Sequence, residues 1–165
     1  MPEHGPIECI LSDAVEFSRE APRLSKVLIK ETIHHIQERR ELFTNLYRRL
    51  SGGGRMVLVH VPPDIEYPLF RAALNRSRTW HANPDELQRL LAEAGFRLER
   101  EELHWRHRLP KEHYLEMVEG RYMSLLSSFT DEELRDGLEE MRREYAGVST
   151  LEFNDRFVYL TAIKD

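Results

Sequence analysis

The segment from Lys26 to Val61 restricts this chain to one kind of architecture. An apolar, β-rich run (Val27, Leu28, Ile29) leads into apolar residues at Ile33, Ile36, Phe43, Leu46, Tyr47 and Leu50, and then into a second run at Met56, Val57, Leu58, Val59 and Val61. The spacing by threes and fours predicts an amphipathic helix between two strands. Gly52, Gly53 and Gly54 stand between helix and second strand, where positive-φ positions end a helix at low steric cost. Strand, helix, strand is a right-handed crossover between parallel strands, and runs without polar alternation belong to strands covered on both faces.

The flanking sequence supplies that cover. Ile7 to Leu11 reads as a short strand, with Ser12 and Asp13 as a cap for a helix over Ala14 to Arg19. Pro62-Pro63-Asp64 makes a turn, and Pro68 can occupy the first turn of a helix carrying Leu69, Phe70, Ala73 and Leu74. Asn83-Pro84-Asp85-Glu86 predicts a capped helix with Leu87, Leu90, Leu91 and Ala94 on one face, Glu86 closing a capping box and Gly95 ending the helix. Phe96 to Leu109 reads as an edge strand, because Glu99, Arg100, Glu101 and Glu102 interrupt its apolar residues. Tyr114 through Phe129 and, after the capping box of Thr130 with Glu133, Leu134 through Tyr145 form a helical hairpin over about residues 110–147. Phe153 to Ile163 is a final strand whose Phe157 to Ile163 run leaves neither face polar, which places it inside the sheet.

At 165 residues the chain is long enough for one domain with a core and too short for two ordinary ones. A hydrophobic share of 41%, a charged share of 32% and a net charge of -5 exclude a disordered chain and argue against broad nucleic-acid binding. No apolar run approaches the roughly 20 residues that cross a bilayer, and the N-terminus lacks a basic flank and cleavage signal, so no membrane partner and a cytoplasmic location are expected. Cys9 is the only cysteine, which excludes an internal disulfide and a cysteine-rich metal site.

Several phrases in this order carry a family resemblance: Ser12-Asp13-Ala14, Lys30-Glu31-Thr32-Ile33-His34-His35-Ile36, Leu50-Ser51-Gly52-Gly53-Gly54-Arg55, and Asn83-Pro84-Asp85-Glu86-Leu87 through Ala94-Gly95-Phe96. Together they resemble the C-terminal portion of a class I, S-adenosylmethionine-dependent methyltransferase, nearest to the small-molecule methyltransferases. The resemblance implies an α/β, Rossmann-like sheet, mostly parallel with an antiparallel C-terminal strand and helices on both faces. Ile7 to Leu11 would be the family's third strand, Val27 to Lys30 the fourth, Met56 to Val61 the fifth and Phe96 to His107 the sixth. Phe153 to Ile163 would be the seventh, running antiparallel between the fifth and sixth.

The resemblance also implies S-adenosylmethionine as cofactor, and it exposes a gap. The family's donor lies on a glycine-rich turn after its first strand, and this sequence begins near the third. Close approach of backbone to a ligand needs glycines between a strand and a helix N-terminus. Gly52 to Gly54 stand instead after a helix and before a strand. The isolated chain is therefore expected to bind no cofactor. The resemblance matches Asp13 and Ala14 to the adenine contact, while Asp13 reads equally as a helix cap. Lys30 and Glu31 lie at a strand end, where parallel α/β sheets bind ligands.

His34 and His35 are candidate proton acceptors, since imidazole changes charge near neutral pH; they can also cap or stack. Neighbouring helical residues point about 100° apart, so the two are not expected to share a metal. His60, Tyr114 and Tyr122 are candidate substrate contacts, with core packing as the alternative for the tyrosines, and likewise for Trp80 and Trp105. His104 and His107 point to opposite faces of a strand, against a zinc site.

Two functions follow as expectations. One is part of a methyltransferase for a small-molecule substrate, inactive alone and completed by another chain. The other is a non-catalytic module that forms a homodimer through the open edge of the Val27 to Lys30 strand, because a bare strand edge templates pairing.

Overall fold

The computed structural model describes residues 7–165. Four strands form one sheet in the order β1-β2-β4-β3, with β1 at Leu24–Lys30, β2 at Leu50–His60, β3 at Arg97–Pro110 and β4 at Thr150–Ile163. β1 and β2 pair in parallel, with Val27 opposite Met56 and Ile29 opposite Leu58. β4 runs antiparallel to both its neighbours, so β1, β2 and β3 share one direction. The apolar run at the C-terminus thus occupies an interior position, and the charged strand lies at the edge.

Side-chain alternation decides which helices cover which face. Met56, Leu58, Val158, Leu160 and Ala162 point to one face and are buried with Leu42, Phe43 and Leu46 of α2 (Arg39–Arg49) and Leu87, Leu90 and Leu91 of α4 (Pro84–Glu93). A second cluster forms where the β3–β4 pair extends beyond the parallel strands. There Leu151 and Phe153 meet Tyr114, Leu115 and Val118 of α5 (Lys111–Glu119), Phe70, Ala73 of α3 (Arg71–Trp80), and Leu134, Leu138 and Met141 of α6 (Asp131–Glu144).

The local signals act largely through their expected hydrogen bonds. Asp13 caps α1 (Ala14–Glu20), its carboxylate accepting from the Val15 and Glu16 amides at 2.8 and 3.2 Å. Asn83 caps α4, with Pro84 in the first turn and Gly95 at φ +107 beyond its end. Thr130 and Glu133 make a reciprocal capping box on α6. Glu86 does not close a box with Asn83; its carboxylate lies 3.8 Å from Arg39 instead.

Three expectations are corrected. Ile7 to Leu11 is not a strand: it has no regular structure, and Ile7 and Leu11 are 94% and 105% exposed. A strand gains its hydrogen bonds only from a neighbour, and none adjoins this segment among the described residues. The helix expected from Ile33 onward is split into a 3-10 turn at Ile33–His35 and α2. The Ile33 carbonyl accepts from the Ile36 amide at 3.2 Å, which closes the 3-10 turn, and also from Arg39 Nε at 3.2 Å, and Ile36 is extended.

The glycine cluster does not end the helix either. Helix α2 stops at Arg49, and Lys164 Nζ donates to the carbonyls of Tyr47 and Leu50 at 2.7 and 2.8 Å, occupying the groups a helix end leaves unpaired. The glycines belong to β2, where the register slips between Leu24 opposite Leu50 and Lys26 opposite Arg55. Gly53 takes φ +72 in that bulge and its amide reaches the Lys164 carbonyl at 2.7 Å.

Candidate functional site

A cleft of about 400 Å³ opens beyond the carboxyl ends of β1 and β2, the end at which parallel α/β sheets place ligands. Its floor comes from residues that follow those strands, Glu31, His34 and Val61, and from the inner face of the β3–β4 pair, His107, Phe153, Asp155 and Phe157. Tyr67, His81 and the segment from Tyr114 to Leu125 close its sides. The cleft exists because β3 and β4 run on past the parallel pair, and α5 with its following turn folds back over the projecting hairpin.

Asp155 is the polar centre. Its carboxylate accepts from the Tyr67 hydroxyl on one oxygen and from His107 Nε2 at 2.9 Å on the other. His107 in turn stacks on Phe153, with ring centroids 5.2 Å apart. Burial and the hydrogen bond to Asp155 hold the Tyr67 hydroxyl well above the usual phenol range, so it stays a proton donor. Tyr114 and Tyr122 share a hydrogen bond at 3.1 Å, and burial likewise keeps both phenols neutral.

A group of imidazoles lies beside this centre. The His34 ring sits 4.0 Å from His35 and 5.3 Å from His81, and the His35 ring meets Trp80 edge-on at 5.9 Å. Burial, the neighbouring histidines and Arg39 push His34 down to about 4; burial with His34, His60 and His35 does the same to His81. His60 is buried at the end of β2 and pushed down to about 4 by burial, with Arg100 and Arg39 adding to the effect. Its Nδ1 faces the Val61 carbonyl at 3.2 Å, and a carbonyl only accepts, so Nδ1 carries the proton and Nε2 a free lone pair. The Nε2 atoms of His34, His60 and His81 are all buried without a hydrogen-bond partner. Buried polar atoms in that state are uncommon. Among the described residues no group of three histidine, cysteine or acidic side chains is arranged to hold a metal ion.

The residues singled out in the sequence are distributed between two places. Glu31, His34, Tyr114 and Tyr122 line the cleft, while His35, which is exposed, and His60, which is buried, do not line it and belong to the imidazole group around His34. Ala14 and Lys30 border a separate groove along the open edge of β1, and the Asp13 carboxylate is engaged in capping α1. Trp105 is 70% exposed on β3 and packs in neither core. Tyr67, His81, His107 and Asp155 were not singled out as site residues. The one available signal was Asn154-Asp155-Arg156, a polar interruption inside a strand otherwise read as interior.

Comparison with solved structures gives the class. The fold is Rossmann-like, shared with S-adenosylmethionine-dependent methyltransferases. A methyltransferase from Bacillus halodurans, described as putative in its own right, is similar over 98% of this chain and 73% of its own, with a TM-score of 0.58 and 18% identity. A SAM-dependent methyltransferase from Archaeoglobus fulgidus is similar over 94% of this chain and 66% of its own, with a TM-score of 0.54 and 19% identity. A phosphoethanolamine N-methyltransferase from Haemonchus contortus, solved with S-adenosylhomocysteine, is similar over 92% of this chain but 36% of its own, with a TM-score of 0.50 and 17% identity. The chain therefore spans from about a third to three quarters of these structures. No protein-family model matches it, and no curated protein does. No helix among the described residues is long and apolar enough to cross a membrane.

Proposed function

We propose that this chain is a methyltransferase-like protein that contributes the acceptor side of a small-molecule site and does not hold S-adenosylmethionine by itself. The cleft at the carboxyl ends of β1 and β2, with Asp155, Tyr67 and His107 at its centre, carries this reading. A few hundred cubic ångströms with a few convergent polar groups suits a small ligand. The cytoplasm is the location we assign to it.

The residues present do not fit the donor. Among the described residues no strand passes into a helix through glycine: β1 is followed by Glu31 and Thr32, β2 by Val61 through Phe70, and β3 directly by α5. The glycine bulge at Gly52–Gly54 lies at the amino end of β2, away from the cleft at the opposite end. Asp13, the residue matched to adenine, spends its carboxylate on two amides of α1. Titration of the purified chain with S-adenosylhomocysteine by calorimetry is expected to give no saturable heat at micromolar ligand. Micromolar affinity would overturn the proposal that the donor side is incomplete.

A second reading rests on the open edge of β1. Among the described residues β1 has a neighbour on one side only, and its Leu28 is 67% exposed beside an apolar groove between β1, α1 and α2. Free strand edges with apolar side chains pair with further strands. A homodimer through this edge, or a complementing chain that adds strands to it, is the expected state. Light scattering at about 100 µM, where edge pairing of ordinary protein affinity is saturated, should read twice the chain mass. A monomer at that concentration counts against homodimerisation, and Leu28→Lys should return a dimer to monomer.

A further inference from the structure

The charge of the cleft is one-sided. The chain carries 24 lysines and arginines, yet none of them lines the cleft, whereas Glu31 and Asp155 both do. The histidines do not restore the balance on the β1 side. His34 and His81 are neutral near pH 7, since burial favours their uncharged form. Around the two carboxylates stand four aromatic rings, Tyr67, Tyr114, Tyr122 and Phe153, with Met117 and Met123 beside them. Aromatic faces carry negative charge density and attract cations, most strongly where water is displaced. Methionine thioethers add polarizable, adaptable contact.

An anionic ligand would meet two carboxylates and no lysine or arginine here, and the His107 imidazole is already engaged by Asp155. A neutral ligand could meet Glu31 only as a hydrogen-bond donor, whereas a cation also balances its charge; the backbone holds Glu31 at the cleft in a left-handed conformation, φ +48, with its amide donating to the Val59 carbonyl at 2.8 Å. A non-glycine residue in that region is held at some energetic cost by its surroundings. We propose that the cleft binds a small organic cation, an alkylated or protonated amine, between the Asp155 and Glu31 carboxylates and the tyrosine and phenylalanine faces. This rests on the reading of the cleft as a small-molecule site and names the ligand class. Asp155 serves as counter-charge while the Tyr67 hydroxyl and His107 Nε2 fix its orientation. The ligand carries no phosphate or carboxylate.

The full chain should be titrated by calorimetry at constant ionic strength with three probes: choline, its uncharged isostere in which a tert-butyl carbon replaces the trimethylated nitrogen, and pivalate. Choline should bind about tenfold more tightly than the isostere, and pivalate should not bind. Asp155→Asn keeps an acceptor for Tyr67 and removes the charge. It should weaken choline by about tenfold and leave the isostere unchanged, with thermal unfolding confirming that the variant folds. Glu31→Gln makes the same test at an exposed position should Asp155→Asn unfold. Equal affinity for choline and isostere, tighter binding of pivalate, or no response to any probe overturns the assignment. The probes involve no methyl donor. An absent choline response therefore removes this assignment alone, whereas tight S-adenosylhomocysteine binding removes only the proposal of an incomplete donor side.

Discussion

Acidification from pH 7 to about pH 4.5 should destabilise this fold through its buried histidines. His34, His60 and His81 fall from an ordinary 6.5 to about 4 in the folded chain, chiefly by burial. Between those values the unfolded chain binds protons that the native chain refuses, so unfolding is favoured as pH falls. The stability of these neutral imidazoles is fully present above about 6.5 and is lost progressively down to about 4. For His60, buried at the end of β2, the loss over this window is on the order of 2 kcal/mol. His34 and His81 act in the same direction and by less, because water reaches part of their rings. Glu41, Glu93, Glu102 and Glu133 are all held below the usual 4.5 by arginines or by a helix cap, so they act only at lower pH.

Urea unfolding at several pH values between 7 and 4.5 gives the slope directly. His60→Leu should reduce that slope by about one proton and leave stability at pH 7 unchanged or higher, because it removes a buried nitrogen without a partner. An unaltered slope would show that His60 does not titrate in this window.

Gly137→Ala is expected to destabilise the protein by about 1–3 kcal/mol, although alanine is the better helix former by about 1 kcal/mol. Gly137 lies in α6, and a Cβ there would come within 2.5 Å of Phe70 Cγ and 2.6 Å of Cδ1. The Phe70 ring is buried and meets Phe129 edge-on at 5.0 Å, so it has no space into which to turn. Packing therefore outweighs propensity at this position. The contact also positions the site. Glu140, one turn further along α6, accepts from the Arg71 amide at 2.8 Å, and together these tie α6 to the segment that carries Tyr67 to Asp155. Phe70→Leu combined with Gly137→Ala should recover part of the loss, whereas two independent effects would simply add. Thermal unfolding of the four proteins measures the coupling; additive losses would place the clash elsewhere.

Much of the framework was legible because it depends on short-range chemistry. Asp13, Asn83 and Thr130 cap helices wherever the chain goes, since each bonds amides two or three residues away. The alternation of apolar and charged residues separated the edge strand β3 from the interior strand β4. The errors fell where a distant residue altered a local outcome. The Ile36 amide and Arg39 share the Ile33 carbonyl in a 3-10 turn where a longer helix was expected, Lys164 from the far end of the chain takes the carbonyls of Tyr47 and Leu50 at the end of α2, and the glycines lie in a bulge of β2. Ile7 to Leu11 has a strand's composition without a strand's neighbour.

The site divides in the same way. Glu31 and His34 were visible because they follow a strand end in the sequence itself, a position that ligand-binding α/β sheets use repeatedly. Asp155, Tyr67 and His107 come from three distant stretches, and nothing in any one of them signals the other two. Composition and periodicity determined most of the strands and helices and the end of the sheet at which the cleft opens. The pairing of β3 with β4 and the fold-back of α5 decided which charges face the cleft, because a carboxylate's partners are chosen by distance in space and not along the chain.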